Sequence, residues 1–381
     1  MKKRPAVALL IETSNAYARG LLAGIVRYAR ELHPPWSIRL VEQGRGDPPP
    51  AWLRNWKGDG IVARIETQTI ARAVKATGLP VVDVSAARHV PGVPWVETDD
   101  GAIAKLAAEH LLERGFRHFG FCGEPGFNWS NWREAAFVRS LRDAGHACEV
   151  FDTPSQSRRA HEREAMARWI ARLPKPAGVM ACYDIRAQQL LDACRDAGVA
   201  VPDEIAVIGV DNDELLCDLS MPPLSSVVPD SRRAGYEAAR LLDQLLAGRK
   251  VPAEPVLVPP LGVATRQSTD VLAIDDRDVA QAIRFIREHA CDGIAVSDVL
   301  RVVPLSRRAF EKRFLDRLGR TPHQEILRLK IARAEQLLTE TDLSLAAIAE
   351  RTGFRHAEYL SVAFKRATGR TPGQHRTAHD V

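Results

Sequence analysis

The sequence lacks the features that typify membrane spans, disulfide frameworks and metal sites. No apolar run approaches the roughly 20 residues that cross a bilayer. None of the six cysteines is spaced as Cys-x-x-Cys, and no Cys and His cluster has zinc-ligand spacing, so we expect buried thiols and no cofactor. Glu12 interrupts the apolar run that follows the basic start. This favours a first buried strand over a signal peptide and predicts a cytoplasmic protein with no membrane partner.

The sequence also lacks the phosphate-binding and nucleophile motifs of common enzymes. It has no Walker loop, no Gly-x-Gly-x-x-Gly after the first apolar run and no Gly-x-Ser-x-Gly elbow. A carboxylate pair, Asp184 and Asp211, leaves open an enzyme that acts on a sugar or nucleotide, but acid–base catalysis requires the two groups to be close. We predict that the protein is not an enzyme.

Positive charge is concentrated at one end of the 381 residues. Residues 276–381 hold 19 Lys and Arg against 14 Asp and Glu, whereas the two signs balance in residues 1–275. All seven tryptophans precede residue 170. These asymmetries indicate a neutral module joined to a basic module that meets phosphates.

Short apolar runs alternate with amphipathic stretches through the first two-thirds of the chain. The clearest runs are 6–11, 61–63, 80–84, 119–122, 178–181 and 205–210. This alternation predicts a parallel sheet covered by helices on both faces. Because the pattern is long for one sheet, we expect a two-lobed, doubly wound α/β fold.

From residue 278 the pattern is purely helical. Val279, Ile283 and Ile286 form an apolar stripe that Gly293 ends, and further stripes follow. Proline and glycine are frequent between 248 and 262, and a polar stretch comes next. We therefore predict a first domain over 1–268, a linker over 269–277 and an all-α domain over 278–381.

An internal repeat at an offset of 50 residues supports this division. Phe314 matches Phe364, and Gly-Arg-Thr-Pro occurs at both 319–322 and 369–372. In each copy Thr, Pro and a Gln three residues after the Thr predict a capping box at a helix start. A similar supersecondary unit therefore occurs twice.

Each repeat is predicted to fold as helix, tight turn, helix, with the second helix presenting polar residues to DNA. The expected DNA contacts are Arg307, Arg308, Glu311, Lys312 and Arg320 in the first repeat, and Arg355, His356, Glu358, Tyr359, Ser361 and Arg370 in the second. Arginine reads guanine bidentately or neutralises phosphate. The alternative is a helical domain with ordinary solvated faces, but the matched cores, matched caps and charge excess favour DNA binding.

The same segment carries a family signature. Ser344-Leu345-Ala346-Ala347-Ile348-Ala349, Gly353-Phe354, Tyr359-Leu360, Phe364-Lys365 and Gly369-Arg370-Thr371-Pro372 stand in this order. They resemble the AraC/XylS regulators over roughly the last 100 residues. The resemblance implies two helix-turn-helix units joined by a long helix at about 322–339 and inserted into successive major-groove faces. His356-Ala357 replaces the small polar pair that is frequent in the family, which leaves the base preference open.

A second resemblance covers most of residues 5–266. Tyr183-Asp184, the segment from Val201 to Asn212, and Pro223-Leu224-Ser225-Ser226-Val227 are similar to the sugar-sensing half of LacI/GalR repressors. The resemblance implies a periplasmic-binding-protein-like sensor with two hinged lobes and a ligand in the cleft. It also implies that the chain crosses between the lobes near 98–101, 228–231 and 250–253.

Polar residues follow several apolar runs, where ligands bind in such sheets. The expected ligand contacts are Tyr17 and Arg19 after the first run, Asp184 and Arg186 after 178–181, Asp211 and Asn212 after 205–210, and also Trp129 and Arg133. Asp, Asn and Arg bond to hydroxyl groups, and Trp129 or Trp132 can lie against a sugar ring. Arg133 matches the family's sugar-contacting arginine. Helix capping is the alternative for Asp184 and Asp211, and core packing is the alternative for the tryptophans.

The module order, together with Asn15-Ala16-Tyr17 and the 209–212 segment, resembles that of xylose-operon activators. The resemblance implies a sugar-responsive transcription activator whose ligand is xylose or a related pentose, without fixing the sugar. We expect the sugar to close the lobes and reposition the DNA-binding domains of a homodimer on tandem half-sites of promoter DNA, beside RNA polymerase. A repressor, or a regulator that responds to another small molecule, is the alternative.

Overall fold

The computed structural model describes residues 4–32, 35–44, 46–152, 161–251, 254–271, 276–341 and 343–377. The chain divides into two units, residues 1–271 and residues 272–381. The predicted linker at 269–277 spans this boundary, and its residues 272–275 lie outside the described residues. Thr269, at its start, is buried in the first unit.

Strands and helices alternate along the first unit. In chain order they are β1 (Ala6–Leu10), α1 (Ala16–Glu31), β2 (Ser37–Leu40), β3 (Gly60–Ala63), α2 (Gln68–Ala76), β4 (Val81–Asp83), β5 (Val96–Thr98), α3 (Asp100–Glu113), β6 (His118–Cys122), α4 (Asn128–Asp143), β7 (Cys148–Val150), α5 (Glu162–Arg172), β8 (Ala177–Ala181), α6 (Asp184–Asp196), β9 (Ile205–Val210), α7 (Glu214–Leu219), β10 (Ser225–Val228), α8 (Ser231–Leu246), β11 (Val256–Val258) and β12 (Gly262–Ala264). The α/β fold class predicted from the sequence is confirmed.

The first lobe is built on a parallel sheet in the order β2-β1-β3-β4. An isolated β-bridge between Asp83 and Trp95 connects this sheet to the start of β5. Strand β5 pairs in parallel with β11. Alternate residues of β1 enter two different cores, Val7 and Leu9 on one face and Ala8 and Leu10 on the other. Burial on both faces explains the unbroken apolar run in the sequence.

The second lobe is built on a sheet in the order β12-β10-β9-β8-β6-β7, in which only β12 runs antiparallel to its neighbour. The chain crosses between the two sheets after β5, after β10 and after β11. The third predicted crossing, near 250–253, is therefore wrong. Pairing of β11 with β5 keeps the chain in the first lobe as far as Val258.

The second unit contains helices joined by turns, and no strand, within its described residues. Its helices are α9 (Arg277–His289), α10 (Val296–Val299), α11 (Arg307–Leu318), α12 (Pro322–Glu340), α13 (Leu345–Arg351), α14 (Ala357–Thr368) and α15 (Pro372–Thr377). The pairs α10–α11 and α13–α14 correspond to the two predicted helix-turn-helix repeats. The long helix α12 joins them.

The sequence repeat corresponds to two separate hydrophobic cores. Phe314 is fully buried in the first core and Phe364 in the second, and α12 contributes Ile326 to the first and Ala334 to the second. The capping boxes are present at both repeated segments. In the first, the Thr321 N–H donates to Gln324 Oε1 (2.7 Å), and the bond from Thr371 to Gln374 repeats it at 2.9 Å.

Glycine allows the backbones of α1 and α8 to touch. A Cβ built on Gly24 would lie 1.9 Å from the Arg232 carbonyl oxygen, and one built on Gly235 would lie 2.0 Å from the Leu21 carbonyl oxygen. Both clashes involve backbone atoms, which cannot rotate away. The close contact positions α1, whose N-cap Asn15 lies at the end of the first lobe's sheet.

A buried carboxyl group stands at the end of β4. Asp83 is 2% exposed, and its Oδ1 accepts hydrogen bonds from the Ile65 and Ser85 N–H groups at 3.3 and 3.0 Å. Burial dominates and raises its pKa to about 7. The folded protein therefore favours the protonated carboxyl group, and stability falls as the pH rises.

We expect Gly24→Ala to lower the free energy of unfolding of the first unit by about 1–3 kcal/mol through overpacking. Urea unfolding followed by tryptophan fluorescence measures this unit, since all seven tryptophans belong to it. Gly20→Ala is the control on the same helix, because its Cβ would meet the rotatable Ser231 hydroxyl first. Equal losses for both variants would contradict the backbone contact.

We expect Asp83→Asn to become more stable relative to wild type as the pH rises from about 4 to about 7. The asparagine keeps the acceptor oxygen but has no proton to lose, and each unit of raised pKa costs the wild type about 1.4 kcal/mol above that range. The same fluorescence assay at several pH values measures the difference. Asp230→Asn, which makes the same exchange at the N-cap of α8, is the control for the substitution itself.

Candidate functional sites

A cavity of about 250 Å³ lies in the first unit, at the carboxyl ends of strands from both sheets. The lining residues come from the ends of β1, β3, β8 and β9, from β5, and from the first turns of α4 and α7: Ser14, Asn15, Ala16, Tyr17, Arg64, Glu97, Trp129, Arg133, Tyr183, Asp184, Ile185, Asp211, Asp213 and Leu216. Tyr17, Trp129, Arg133, Asp184 and Asp211 are the predicted ligand contacts that it brings together.

Arg133 is the central cation of the cavity. Its Nε donates to Asp100 Oδ1 (2.7 Å) at the first crossing between the lobes, and its Nη1 donates to the Cys182 carbonyl oxygen at the end of β8. Burial disfavours the charged guanidinium, but the carboxylates of Asp100 and Asp211 outweigh this cost and raise its pKa. Arg133 is therefore a fixed positive charge in the cavity.

The buried Asp184 and the half-buried Asp211 form an acidic pair beside Arg133. Asp184 accepts hydrogen bonds from the Ser226 hydroxyl (2.6 Å) and the Asp213 N–H (2.8 Å). Burial and then the nearby charge of Asp211 raise the pKa of Asp184. Neither aspartate caps a helix, since Tyr183 and Asp213 are the N-caps of α6 and α7. The capping alternative is thus removed for both residues.

The opposite wall holds two residues that the sequence interpretation missed, Arg64 and Glu97. Tyr17 donates its hydroxyl proton to Glu97, and the Arg64 guanidinium lies 5.3 Å from the centre of the Tyr17 ring. Burial and then the charge of Asp100 raise the pKa of Glu97. Arg64 directly follows β3, so the tendency of ligands to bind at the carboxyl ends of strands could have identified it from the sequence. Glu97 lies inside β5, which the sequence pattern did not predict.

Aromatic and aliphatic side chains complete the lining. The Trp129 and Tyr183 rings meet edge to face with centroids 5.4 Å apart, and Ile185 and Leu216 add apolar surface. Trp132 packs against Trp95 and is not among the described lining residues. The cavity thus combines hydrogen-bonding groups with an aromatic wall, which suits a polyhydroxylated ring.

Three predicted contacts, Arg19, Arg186 and Asn212, are not among the lining residues that the structure describes. Arg186 is 1% exposed and bonds to the Gly123 carbonyl oxygen and to Glu162, so the predicted ligand contact is corrected to a buried bridge between α5 and the segment after β6. Arg19 has a 52% exposed side chain beside Asp213. The Asn212 amide oxygen accepts a hydrogen bond from Arg266, which is not among the described lining residues.

The second unit exposes most of the predicted DNA contacts. Arg307, Arg308, Lys312, Arg355, His356, Glu358, Tyr359 and Arg370 are exposed, and Glu311 is half-buried in an ion pair with Arg307. Ser306 caps α11 with its hydroxyl, as expected. The N-terminal halves of α11 and α14 therefore both carry accessible polar side chains, as a major-groove reader requires.

Two predicted DNA contacts have internal partners instead. Arg320 donates its Nε to Glu325, a fully buried carboxylate that Arg328 also holds at 2.9 Å. Ser361 is half-buried and donates its hydroxyl to the Ala357 carbonyl oxygen (2.9 Å). Both side chains support helices, which sequence periodicity alone does not reveal.

Helix α14 also exposes residues that the sequence interpretation left out. Val362 is 66% exposed, four residues after Glu358, and Lys365 and Arg366 are exposed in the next turn. An apolar side chain on a polar helix face is suited to a thymine methyl group. The signal was the helical spacing from Glu358, which places Val362 on the same face.

The described residues of the two units can also be compared with the requirements of a metal site and of a membrane span. Within the described ranges, no group of three or more His, Cys, Asp or Glu side chains is arranged to hold a metal ion. In the same part of the chain, no helix is both long and apolar enough to cross a membrane.

Three family models match successive parts of the chain. An XylR N-terminal domain matches residues 6–101, a periplasmic binding protein-like domain matches 108–269, and a helix-turn-helix domain matches 299–378. Solved structures of LacI-type regulators share the fold of the first unit at about a fifth identity. One of them, from Alkaliphilus metalliredigens, covers 69% of the chain with a TM-score of 0.56.

Longer matches extend over both units. The xylose operon regulatory protein of Escherichia coli K12 is 34% identical over 98% of the chain and 97% of its own length, and that of Haemophilus influenzae is 33% identical over 97% of each. A solved structure described as the xylose-binding transcription activator xylR covers 99% of both chains with a TM-score of 0.82 and 34% identity. The chain therefore belongs to the xylose operon regulatory protein family of transcription regulators, with an AraC-type DNA-binding domain.

Proposed function

We propose that the chain is a xylose-responsive transcription activator that binds the sugar in the cavity of its first unit and promoter DNA through α11 and α14. The observation that carries the sugar assignment is the convergence of four carboxylates and two guanidinium groups beside Trp129 and Tyr183. These groups offer acceptors and donors to vicinal hydroxyls, and the rings offer a face to the apolar side of a pentose. The names of the full-length relatives favour xylose among the pentoses.

Asp211 and Arg133 are the residues we expect to select the ligand. Both come from the second lobe, and the charge of Asp211 stabilises the Arg133 guanidinium. A hydroxyl placed between them donates to the carboxylate and accepts from the guanidinium. Such charge-assisted bonds are each worth about 1.5–3 kcal/mol.

Closure of the lobes has a candidate contact at the mouth of the cavity. Asp213, which follows β9 in the second lobe, accepts a hydrogen bond from the Ala16 N–H at the start of α1 in the first lobe (3.3 Å). Arg19 of α1 lies 3.7 Å from the same carboxylate. A sugar that contacts both lobes stabilises this closed arrangement only to the extent that the sugar binds the closed arrangement more tightly than the open one.

DNA binding rests on the two exposed helix faces of the second unit. We infer that Arg308 and Lys312 of α11, Arg355 just before α14 and Glu358 of α14 contact bases or phosphates in successive major grooves. We also infer that two copies of the chain act together on tandem half-sites and that the bound dimer recruits RNA polymerase. Contacts with the polymerase make the regulator an activator, whereas a repressor would cover the polymerase site.

We expect xylose to give saturable heat in a calorimetric titration of the full chain and Asp211→Ala to weaken binding by about ten-fold or more, since it removes at least one charge-assisted bond. Asp192→Ala is the control, because Asp192 pairs with Arg195 on the outer surface of α6. Arabinose, ribose and glucose are titrated in parallel to test specificity.

An absence of heat with every pentose would overturn the sugar assignment. Wild-type affinity in Asp211→Ala would instead overturn the role of Asp211 and leave the cavity assignment to Arg133 and the opposite wall.

We expect Arg308→Ala to weaken binding of the full chain to a fluorescent fragment of its own promoter region by about 1–3 kcal/mol. Val362→Ala should weaken binding to the same fragment without changing its salt dependence, since no charge is lost. Fluorescence anisotropy at several salt concentrations measures both effects. Arg142→Ala removes one exposed charge from α4 of the first unit and is the control for net charge.

Footprinting of the same fragment with and without xylose tests the arrangement on DNA. Protection of two adjacent pairs of half-sites beside the polymerase site agrees with an activating dimer. Protection across the polymerase site would contradict activation. Equal affinity of wild type, Arg308→Ala and Val362→Ala would show that α11 and α14 do not read DNA.

A further inference from the structure

The turn that follows β9 borders the cavity on one side and a second hydrogen-bonded group on the other. Asp211 lines the cavity, and the next residue, Asn212, points its amide oxygen to the Arg266 guanidinium, 2.9 Å from Nη1. Arg266 immediately precedes the 3-10 turn Gln267–Thr269, close to the end of the first unit at Val271. One side chain thus joins the cavity turn to the segment through which the chain leaves this unit.

The cavity turn has an unusual backbone. Asp211 and Asn212 are consecutive non-glycine residues with positive φ, +106° and +48°. Such conformations cost free energy and persist only where their surroundings impose them. Here the Asp211 N–H donates to the Val227 carbonyl oxygen (3.1 Å), and the Asn212 N–H donates to the Ser226 hydroxyl (3.0 Å). Because the turn is strained, we expect its backbone conformation to change when a ligand bonds to Asp211.

Arg266 contacts three separate parts of the second lobe. Besides Asn212, its Nη1 donates to the Leu224 carbonyl oxygen (3.1 Å), and its Nε donates to Asp218 at the end of α7 (3.0 Å). The Arg266 side chain is 19% exposed and the Asp218 side chain is 47% exposed, so the ion pair contributes little to stability. The three contacts of Arg266 are better explained by a role in holding these parts of the lobe in position than by a contribution to stability.

The exit segment after Arg266 is tightly bound to the sheet. The Arg266 N–H donates to the Ser225 hydroxyl (2.7 Å), and the buried Ser268 hydroxyl donates to the Val207 carbonyl oxygen (2.6 Å). The Thr269 hydroxyl bonds to Ser225 and to His110 at 2.7 and 2.8 Å. These bonds give the segment one defined conformation, so a change in the position of Arg266 alters that conformation instead of being lost in a loose chain.

We propose that Arg266 is a positioning residue that couples sugar occupancy of the cavity to the exit segment 266–271, and through it to the DNA-binding unit. The proposal rests on the proposed function and specifies its regulation. A sugar hydroxyl bound to Asp211 adds a hydrogen bond to the strained turn and thereby favours a different position of its backbone. Asn212 moves with its neighbour, and Arg266 follows its amide oxygen. The coupling is a difference in DNA affinity with and without sugar, not a contribution to sugar binding itself.

The test compares sugar binding with coupling in the full chain. Xylose affinity is measured by calorimetry, and promoter affinity is measured by anisotropy with and without saturating xylose. The ratio of the two promoter affinities is the coupling factor, which is typically about 5- to 150-fold in allosteric proteins. We expect Arg266→Met to keep xylose affinity within about three-fold and to bring the coupling factor close to one.

A second variant and a rescue address loss of folding. Asn212→Gly removes the amide acceptor while leaving the positive φ unstrained, and it should abolish coupling in the same way. The double variant should lose no more than either single variant, because both act through one bond. Arg266→Lys keeps a donor and should restore part of the coupling. Arg240→Met, which removes a comparable ion pair with Glu237 on α8, is the control and should couple as wild type does.

The outcomes separate this proposal from the proposed function. A wild-type coupling factor in both Arg266→Met and Asn212→Gly overturns the proposal. Loss of xylose affinity in both variants also overturns it, because the pair would then belong to the sugar site itself. A wild-type chain that binds no pentose overturns the proposed function, and this proposal with it.

Discussion

Neutralisation of one buried cation constrains the whole sensor cavity. Arg133 bonds to Asp100 at a crossing between the lobes and to the Cys182 carbonyl oxygen at the end of β8, and the charge of Asp211 acts on it from the end of β9. Removing the Asp100 carboxylate would leave this buried guanidinium without its directly bonded counter-charge, at a cost of about 3–5 kcal/mol. The positions of two strand ends and of a segment between the lobes are therefore linked through one guanidinium group.

The parts of the molecule that could be predicted from sequence are those with local causes. Buried strands such as β1 appear as apolar runs, and the two Thr-x-x-Gln caps appear as repeated letters, because neighbouring residues determine them. The exposed edge strand β2 and the short strands β5 and β11 have no such pattern, since their pairing decides their conformation. Tyr17, Asp184 and Asp211 line the cavity because they follow strand ends, which meet at one edge of a parallel sheet. Trp129 and Arg133, which were predicted from the aromatic ring and from the family resemblance, also line it.

The residues that sequence analysis misplaced are those whose bonding partners could not be identified from the sequence. Arg186 is held by Glu162 and the Gly123 carbonyl oxygen, and Asn212 by Arg266, which lies 54 residues away. Arg320 lies in a predicted DNA-binding segment, yet it neutralises a buried Glu325. In each case the residue type suits both roles, and only the three-dimensional neighbour decides between them.

The second helix pair is anchored to the segment that precedes the first. A Cβ on Gly353 would lie 2.5 Å from the Cys291 carbonyl oxygen, and the ammonium group of Lys330, from α12, donates to the Gly353 carbonyl oxygen (2.9 Å). The two pairs are thus held at one separation and one relative rotation. If one base pair is inserted between two half-sites of an operator, one half-site is rotated relative to the other by roughly a tenth of a helical turn. A reader with no freedom to twist must then strain the DNA or release one groove.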